Sequence, residues 1–181
     1  LVISNLGHGY TAWLLSQCND RDYIRKASQQ KPSAGIKICL SSEEPLISHS
    51  GVLFTPGAKR VNGINEVTNA DPSLAPDGKH LLMSHQALDL KGIADVKSHI
   101  EAEIALGMKD LREIFAGKKL EVLLVQSYYN KWPVNRAASG QDFGSKTPFS
   151  NLYVVGDGAK GRGGIEVEGV AMGVKELISS L

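Results

Sequence analysis

The sequence predicts an α/β chain with α+β character, in which a mostly antiparallel β-sheet packs against one long helix. Three observations predict it. Short strand-like runs between residues 35 and 86 are separated by turns carrying Pro and Gly, the spacing of an antiparallel sheet. Ile93, Val96, Ile100, Ile104, Met108, Leu111 and Phe115 then recur at spacings of three and four, the period of a helix with one apolar side. A short apolar strand, a glycine-rich loop and a second helix occupy the region from Asn151 onward.

Taken in order, Leu1-Val2-Ile3-Ser4-Asn5 reads as a strand with no initiator Met, basic leader or cleavage-type segment, and is expected to be cut from something longer. Asn5 to Thr11 is turn-rich through Gly7 and Gly9, and a helix is expected to start between Tyr10 and Leu15. Pro32 to Gly35 punctuates the chain. Beyond it Ile36, Ile38 and Leu40 alternate against Lys37 and Cys39, which puts the first three on one face of a strand. Further strands are expected at Val52 to Thr55, Gly63 to Thr68 and Lys79 to Gln86, with Pro56-Gly57 and Pro76-Asp77-Gly78 supplying the turns.

The long helix takes Asp89 as its N-cap and Gly117 as its stop, while Gly107 in its interior costs on the order of 1 kcal/mol relative to Ala. Its charged residues Asp95, Lys97, Glu101, Glu103, Lys109 and Asp110 read as a solvated face. In the next strand, Leu120 to Tyr129, Leu120, Val122 and Leu124 lie on one face and Leu123 and Val125 on the other. Both faces therefore need covering, as in a sheet that floors an apolar pocket. Pro133 to Ser150 is a long loop rich in Gly, Ser, Pro, Asn and Asp, of the length that is functional or crosses between domains.

Composition excludes several function classes. With 20 Lys plus Arg against 19 Asp plus Glu and no basic run, the electrostatic footprint of nucleic-acid binding is missing. No apolar run approaches the roughly 18 residues of a membrane-spanning helix, although peripheral membrane contact stays open. Cys18 and Cys39 form no CxxC and are expected to be reduced core residues of a cytoplasmic protein. The five histidines show no HxH, HxxxH or HExxH spacing, so no metal site is assigned. Ser4, Ser139 and Ser145 lack a GxSxG elbow, and hydrolase chemistry has no support.

Chemistry concentrates near the end. Gly156-Asp157-Gly158-Ala159-Lys160-Gly161 satisfies GxGxxG after a strand, yet Arg162-Gly163-Gly164 still intervenes before any helix and no second strand follows, so it is not the βαβ dinucleotide fingerprint. The Walker A pattern fails as well, for want of Gly-Lys-Ser/Thr. What remains is a strand ending in an acid, a glycine loop, and a helix starting at Ile165 or Glu166 whose first turn presents backbone N–H groups. That arrangement suits a polar, electron-accepting ring; an ordinary strand-loop-helix with solubilising glycines fits the residues equally well.

Asn151-Leu152-Tyr153-Val154-Val155-Gly156-Asp157, followed by Gly163-Gly164-Ile165-Glu166-Val167-Glu168-Gly169-Val170-Ala171, resembles the C-terminal flavin motif of phytoene desaturase-like and amine oxidase-like FAD-dependent oxidoreductases. Leu1 to Asn5 resembles the strand with which those enzymes return to their FAD domain, and Asp71 to His80 resembles their substrate-domain loop. The resemblance implies an incomplete FAD-binding Rossmann-like portion plus a substrate domain: 1–20 as the returning segment, 21–145 as the substrate domain and 146–181 as the FAD-binding strand-loop-helix. It implies FAD as cofactor, with Gly156 and Asp157 near the ribityl chain and Gly164, Ile165 and Glu166 offering backbone to the isoalloxazine ring.

Tyr128 and Trp132 are candidates to line the substrate cavity, with plain packing the alternative. The expected partners are a lipophilic small-molecule substrate and the N-terminal FAD-binding half of the same protein. That half would carry the pyrophosphate fingerprint absent here, so the 181 residues alone are not expected to be a competent enzyme. No catalytic base is assigned, because the flavin carries the electrons and the protein mainly positions substrate. A non-catalytic binding module that kept the fold without the cofactor, and an amine oxidase-type flavoenzyme, are the alternatives.

Overall fold

The computed structural model describes residues 1–17, 20–30, 33–129, 137, 143–164 and 166–181. In chain order the elements are β1 (Val2–Ser4), α1 (Gly7–Leu14), α2 (Arg21–Ser28), β2 (Ala34–Ser42), β3 (Val52–Phe54), β4 (Gly63–Glu66), β5 (His80–Ala87), α3 (Val96–Ile114), β6 (Glu121–Tyr129), β7 (Leu152–Val154) and α4 (Glu166–Ile178), with single turns of 3-10 helix at Val67–Asn69 and Pro72–Leu74. They divide into two compact units, Leu1–Ser33 with Tyr129–Leu181, and Ala34–Tyr128. The fold is mixed α/β with α+β character, as the sequence predicts.

The second unit is a five-stranded sheet of order β3-β4-β5-β2-β6 with α3 packed against it. The pairs β3–β4, β4–β5 and β5–β2 are antiparallel, with Ile64 opposite Ser84 and Leu40 opposite Leu82. The period-two pattern of β2 buries Ile36, Ile38 and Leu40 almost completely. From α3 come Leu111 and, just beyond its end, Phe115, with Ile100, Ile104 and Met108 packed around them. Truncating one such fully buried Leu or Ile to Ala costs about 2–5 kcal/mol, so this single layer of contacts carries the unit.

Helix α3 starts later than the sequence suggests. Asp89 accepts a bond from Lys91 N at 2.9 Å, and Gly92 follows at φ 75°, a left-handed turn that no helix continues through. Asp95 is the cap instead, accepting from Ser98 N at 3.1 Å and Ser98 Oγ at 2.7 Å. At the far end Gly117 adopts φ 79° and stops the helix as expected. Gly107 leaves the helix unbroken for a packing reason: a Cβ there would strike the side-chain amide of Gln86.

Two of the six charged residues expected on a solvated helix face are buried. Glu103 takes the Arg60 guanidinium at 2.6 Å and shares Gln86 Nε2, which also donates to the Glu103 carbonyl at 2.9 Å. Asp110, only 2% exposed, accepts the backbone N–H groups of Arg60 at 2.6 Å and Val61 at 3.0 Å. The turn leading into β4 thus folds over α3 and uses its acids as acceptors, which helical spacing alone does not reveal.

Helix α2 was not anticipated by the sequence reading, and α1 begins at Gly7 rather than between Tyr10 and Leu15. The signals for α2 are local: Asp20 caps Tyr23 N at 2.9 Å, Asp22 pairs with Arg25 and Lys26, and Tyr23 and Ala27 lie one turn apart on the buried side. Cys39 is a free, half-buried thiol of β2, while Cys18 lies outside the described residues. Strand β6 departs from expectation too. Val122, Leu123, Leu124 and Val125 are 44%, 53%, 54% and 37% exposed, so neither of its faces is covered. Among the described residues no helix is long and apolar enough to cross a membrane.

Burial pushes the Asp110 carboxyl up, but the amides of Val61, Arg60 and Lys59 together outweigh it and hold the group below its usual value. A depressed folded pKa gives stability that is complete above the unfolded value of about 3.9 and is lost as pH falls through the folded one. We expect Asp110→Asn to lower the unfolding free energy by about 1–2 kcal/mol at pH 7, with that difference smaller at pH 3. Denaturant unfolding of both proteins at the two pH values measures this, and an equal deficit at both would refute the electrostatic role.

Candidate functional site

The segment singled out by the sequence, Gly156 to Glu166, lies in the first unit between β7 and α4. Strand β7 pairs in parallel with β1, matching Val2 with Leu152, Ile3 with Tyr153 and Ser4 with Val154. Backbone bonds from Val2 N to Asn151 O at 2.7 Å and from Val155 N to Ser4 O at 2.8 Å extend the pair. Parallel strands end on the same side, so the turn after Ser4 and the loop after Val155 come out next to each other. The carboxyl ends of parallel strands are where open α/β sheets bind ligands.

At this junction Gly156 has φ 102°, and a Cβ on it would collide with the side-chain amide of Asn5. Only glycine satisfies both conditions. The next residue, Asp157, keeps its side chain 32% open and faces Lys160, whose Nζ donates to the Asp157 carbonyl at 2.6 Å and lies 3.5 Å from Oδ1. Lys160 is itself only 9% exposed, and a buried ammonium group requires such oxygen partners.

The rest of the loop lies flat on α4. Gly161 N donates to Gly169 O at 2.9 Å, and Gly164 N to Gly161 O at 3.0 Å, so the Gly164 amide hydrogen is used within the loop. Gly169 and Gly173, one turn apart, give the helix a side without Cβ atoms. A Cβ on Gly173 would sit 2.6 Å from Ala159 O, and one on Gly169 would sit 2.7 Å from the carbonyl carbon of Gly164. Glu166 opens α4 at φ 50°, and Glu166 and Glu168 are both acids of its first turn.

A buried histidine anchors the frame. His8, fully buried in α1, places Nε2 2.7 Å from Gly144 O and Nδ1 2.9 Å from the Tyr23 hydroxyl. A carbonyl only accepts, so Nε2 carries the proton and Tyr23 donates to Nδ1. Burial pushes the Tyr23 phenol up to about 12. From Gly144 the chain runs to Ser145, whose carbonyl accepts Val154 N at 2.9 Å and whose hydroxyl donates to Gly173 O at 3.1 Å. Ser4 closes the other side: its hydroxyl lies 2.7 Å from Thr11 Oγ1 and accepts Leu6 N at 3.3 Å.

Of the residues predicted from sequence, Gly156, Asp157, Gly164 and Glu166 therefore share one loop and helix start. Ile165 and Trp132 lie outside the described residues. Tyr128 belongs to the second unit, where its ring rests against Gly35 of β2 so closely that a Cβ there would strike the hydroxyl. Asn5 and Lys160 were not singled out by sequence reasoning. The signal for Lys160 was its place three residues after the acid, whereas nothing local marks Asn5, whose role depends on the β1–β7 pairing. Among the described residues no group of three or more His, Cys, Asp or Glu is placed to hold a metal.

Comparison with known proteins places this architecture. The chain is 49% identical over 152 residues to an uncharacterised protein of Methanocaldococcus jannaschii, covering 84% of this chain and 37% of that protein. Among solved structures it is similar to an oxidoreductase from Methanosarcina mazei, with a TM-score of 0.90 and 58% identity over 99% of this chain and 42% of that one. It is also similar to a protein from Pyrococcus furiosus, with a TM-score of 0.75 and 35% identity over 99% and 40% of the two chains. No family model matches. The chain thus spans about two-fifths of the length of these relatives.

Since Gly173 has no room for a methyl group, Gly173→Ala should lift the loop from α4. We expect a loss of about 1–3 kcal/mol and faster proteolysis between Asp157 and Gly164, read by thermal unfolding and by peptide mapping of limited digests. Unchanged digestion of that loop would show that the helix face does not hold it.

Proposed function

We propose that the longer protein containing this chain is an FAD-dependent oxidoreductase of the phytoene desaturase-like and amine oxidase-like kind, and that the β1–β7 junction forms part of its flavin site. The observation that carries this reading is the parallel pairing, which sets the turn after Ser4 beside the glycine loop after Val155 at the ligand-binding end of the strands. The oxidoreductase of Methanosarcina mazei, similar over 99% of this chain, supports the reaction class. The resemblance of Asn151 to Asp157 and Gly163 to Ala171 to a C-terminal flavin motif supports the cofactor.

In this reading the residues divide the work. Gly156 lets the backbone approach the ribityl chain because nothing projects from it. Asp157 accepts hydrogen bonds from ribityl hydroxyls, while Lys160 fixes the loop on which the carboxylate sits. The segment Gly164 to Glu166 borders the isoalloxazine ring. A bound flavin would supply the two-electron acceptor for a hydride taken from a C–H bond of a lipophilic substrate of the isoprenoid class. The protein's part is to hold, orient and exclude water. The dinucleotide fingerprint for the pyrophosphate belongs, in this reading, to the N-terminal half of the longer protein.

The test is a spectrum of the full-length protein with and without added FAD, followed by anaerobic titration with isoprenoid and amine reductants. A yellow protein bleached by one of these classes fixes the reaction. A colourless protein that leaves flavin fluorescence unquenched marks a module without cofactor. Asp157→Ala should weaken FAD retention about tenfold, the loss of one charged hydrogen bond, and an unchanged dissociation constant would remove Asp157 from the site.

A further inference from the structure

Strand β6 ends the five-stranded sheet with only β2 as neighbour among the described residues. The opposite edge, β3, is three residues long and runs into Pro56-Gly57, the ordinary way of blunting an edge. By contrast β6 has nine residues, and its stretch Val122-Leu123-Leu124-Val125 carries no charge, Pro or Gly. All four side chains are at least 37% exposed, on both faces of the strand. A long, largely uncharged edge of this kind, left open, is an aggregation site.

Beside it lies a trough of about 320 Å³ between the end of α3 and the start of β6. Leu40, Leu111 and Phe115 form its apolar floor, with Leu120 and Val122 on the β6 side, and the charged side chains of Arg112 and Lys118 form its rim. The trough is thus continuous with the exposed face of β6 that bears Val122 and Leu124, since alternate residues share a face. Open backbone and open apolar surface occur together, which is what an added strand requires: main-chain bonds give affinity and alternate side chains fill pockets.

We propose that β6 is an interior strand in the assembled protein, and that its open edge and the neighbouring trough receive an apolar β-strand from the polypeptide that the longer relatives carry outside the matched region. The length of those relatives argues for this occupant. The two solved ones match 99% of this chain yet only 42% and 40% of their own, so about three-fifths of each lies outside the match. This inference does not rest on the flavin reading: it concerns the second unit and survives if no cofactor binds.

Hydrogen exchange of the full-length protein tests it. In an edge strand alternate amides point away from the sheet and exchange rapidly; in an interior strand both sets are protected. Between Val122 and Tyr128 we expect both sets to exchange at least about a hundredfold more slowly than unstructured peptide. One fast alternating set overturns the proposal. Protection that rises with protein concentration overturns it too, because it marks pairing between copies. As a second measurement, Val122→Lys with Leu124→Lys, on the face continuous with the trough, should lower the melting temperature of the full-length protein by several degrees; an unchanged value would show that this face stays in water.

Discussion

The parallel alignment of β1 with β7 is the constraint on which the first unit depends. Two three-residue strands bring few bonds, each with a net value of about 1 kcal/mol, and a pair this small does not stand alone. It persists because both strands are tied to helices. Ser4 reaches Thr11 of α1, while Ser145 joins β7 to Gly173 of α4. His8, between Tyr23 and Gly144, spans α1, α2 and the segment entering β7. The register follows, and with it the contact between Asn5 and Gly156 that gives the junction its shape.

The second unit solves a different problem. One face of its sheet is covered by a single helix that must lie close, and closeness is obtained by leaving out side-chain atoms: Gly107 admits Gln86 against the helix backbone. The NH2 group of that amide finds its acceptors in Glu103, through both the carbonyl and the carboxylate. The same carboxylate takes Arg60, and Asp110 takes the amides beside it, so the turn before β4 is pinned to α3 at two points. The polar groups determine where the helix sits, and Ile38, Leu40 and Leu111 supply the hydrophobic stabilisation.

Much of this was legible in the sequence where the signal is periodic or local. Ile36, Ile38 and Leu40 show their strand by alternation, Ile100 to Phe115 show their helix by spacing, and Gly117 shows its stop. The glycine loop between a strand and a helix was legible for the same reason. Properties that depend on contacts remote in sequence were not. Glu103 and Asp110 look like surface charges until the turn at Arg60 folds over them. Asp89 looks like a cap until Gly92 turns the chain away. Asn5 is adjacent to Gly156 only because of strand pairing, and the exposure of β6 could not be foreseen from a pattern that demands cover on both faces.

The electrostatics of the junction changes with these details. A bare helix N-terminus carries roughly half a positive charge, which favours an electron-rich ligand. In α4 that end already holds the carboxylates of Glu166 and Glu168 in its first turn, and the Gly164 amide is bonded to Gly161. The helix end therefore offers little net positive potential in water, where exposed charges are screened within about 10 Å. Lys160 differs in being nearly buried, and burial weakens screening. Its ammonium group, held against Asp157 at the end of β7, supplies the buried positive charge of the loop, beside the exposed Arg162. A flavin at this junction would meet the field of Lys160 and Asp157 before that of the α4 dipole, so its affinity would be governed by the loop's conformation rather than by the helix's orientation.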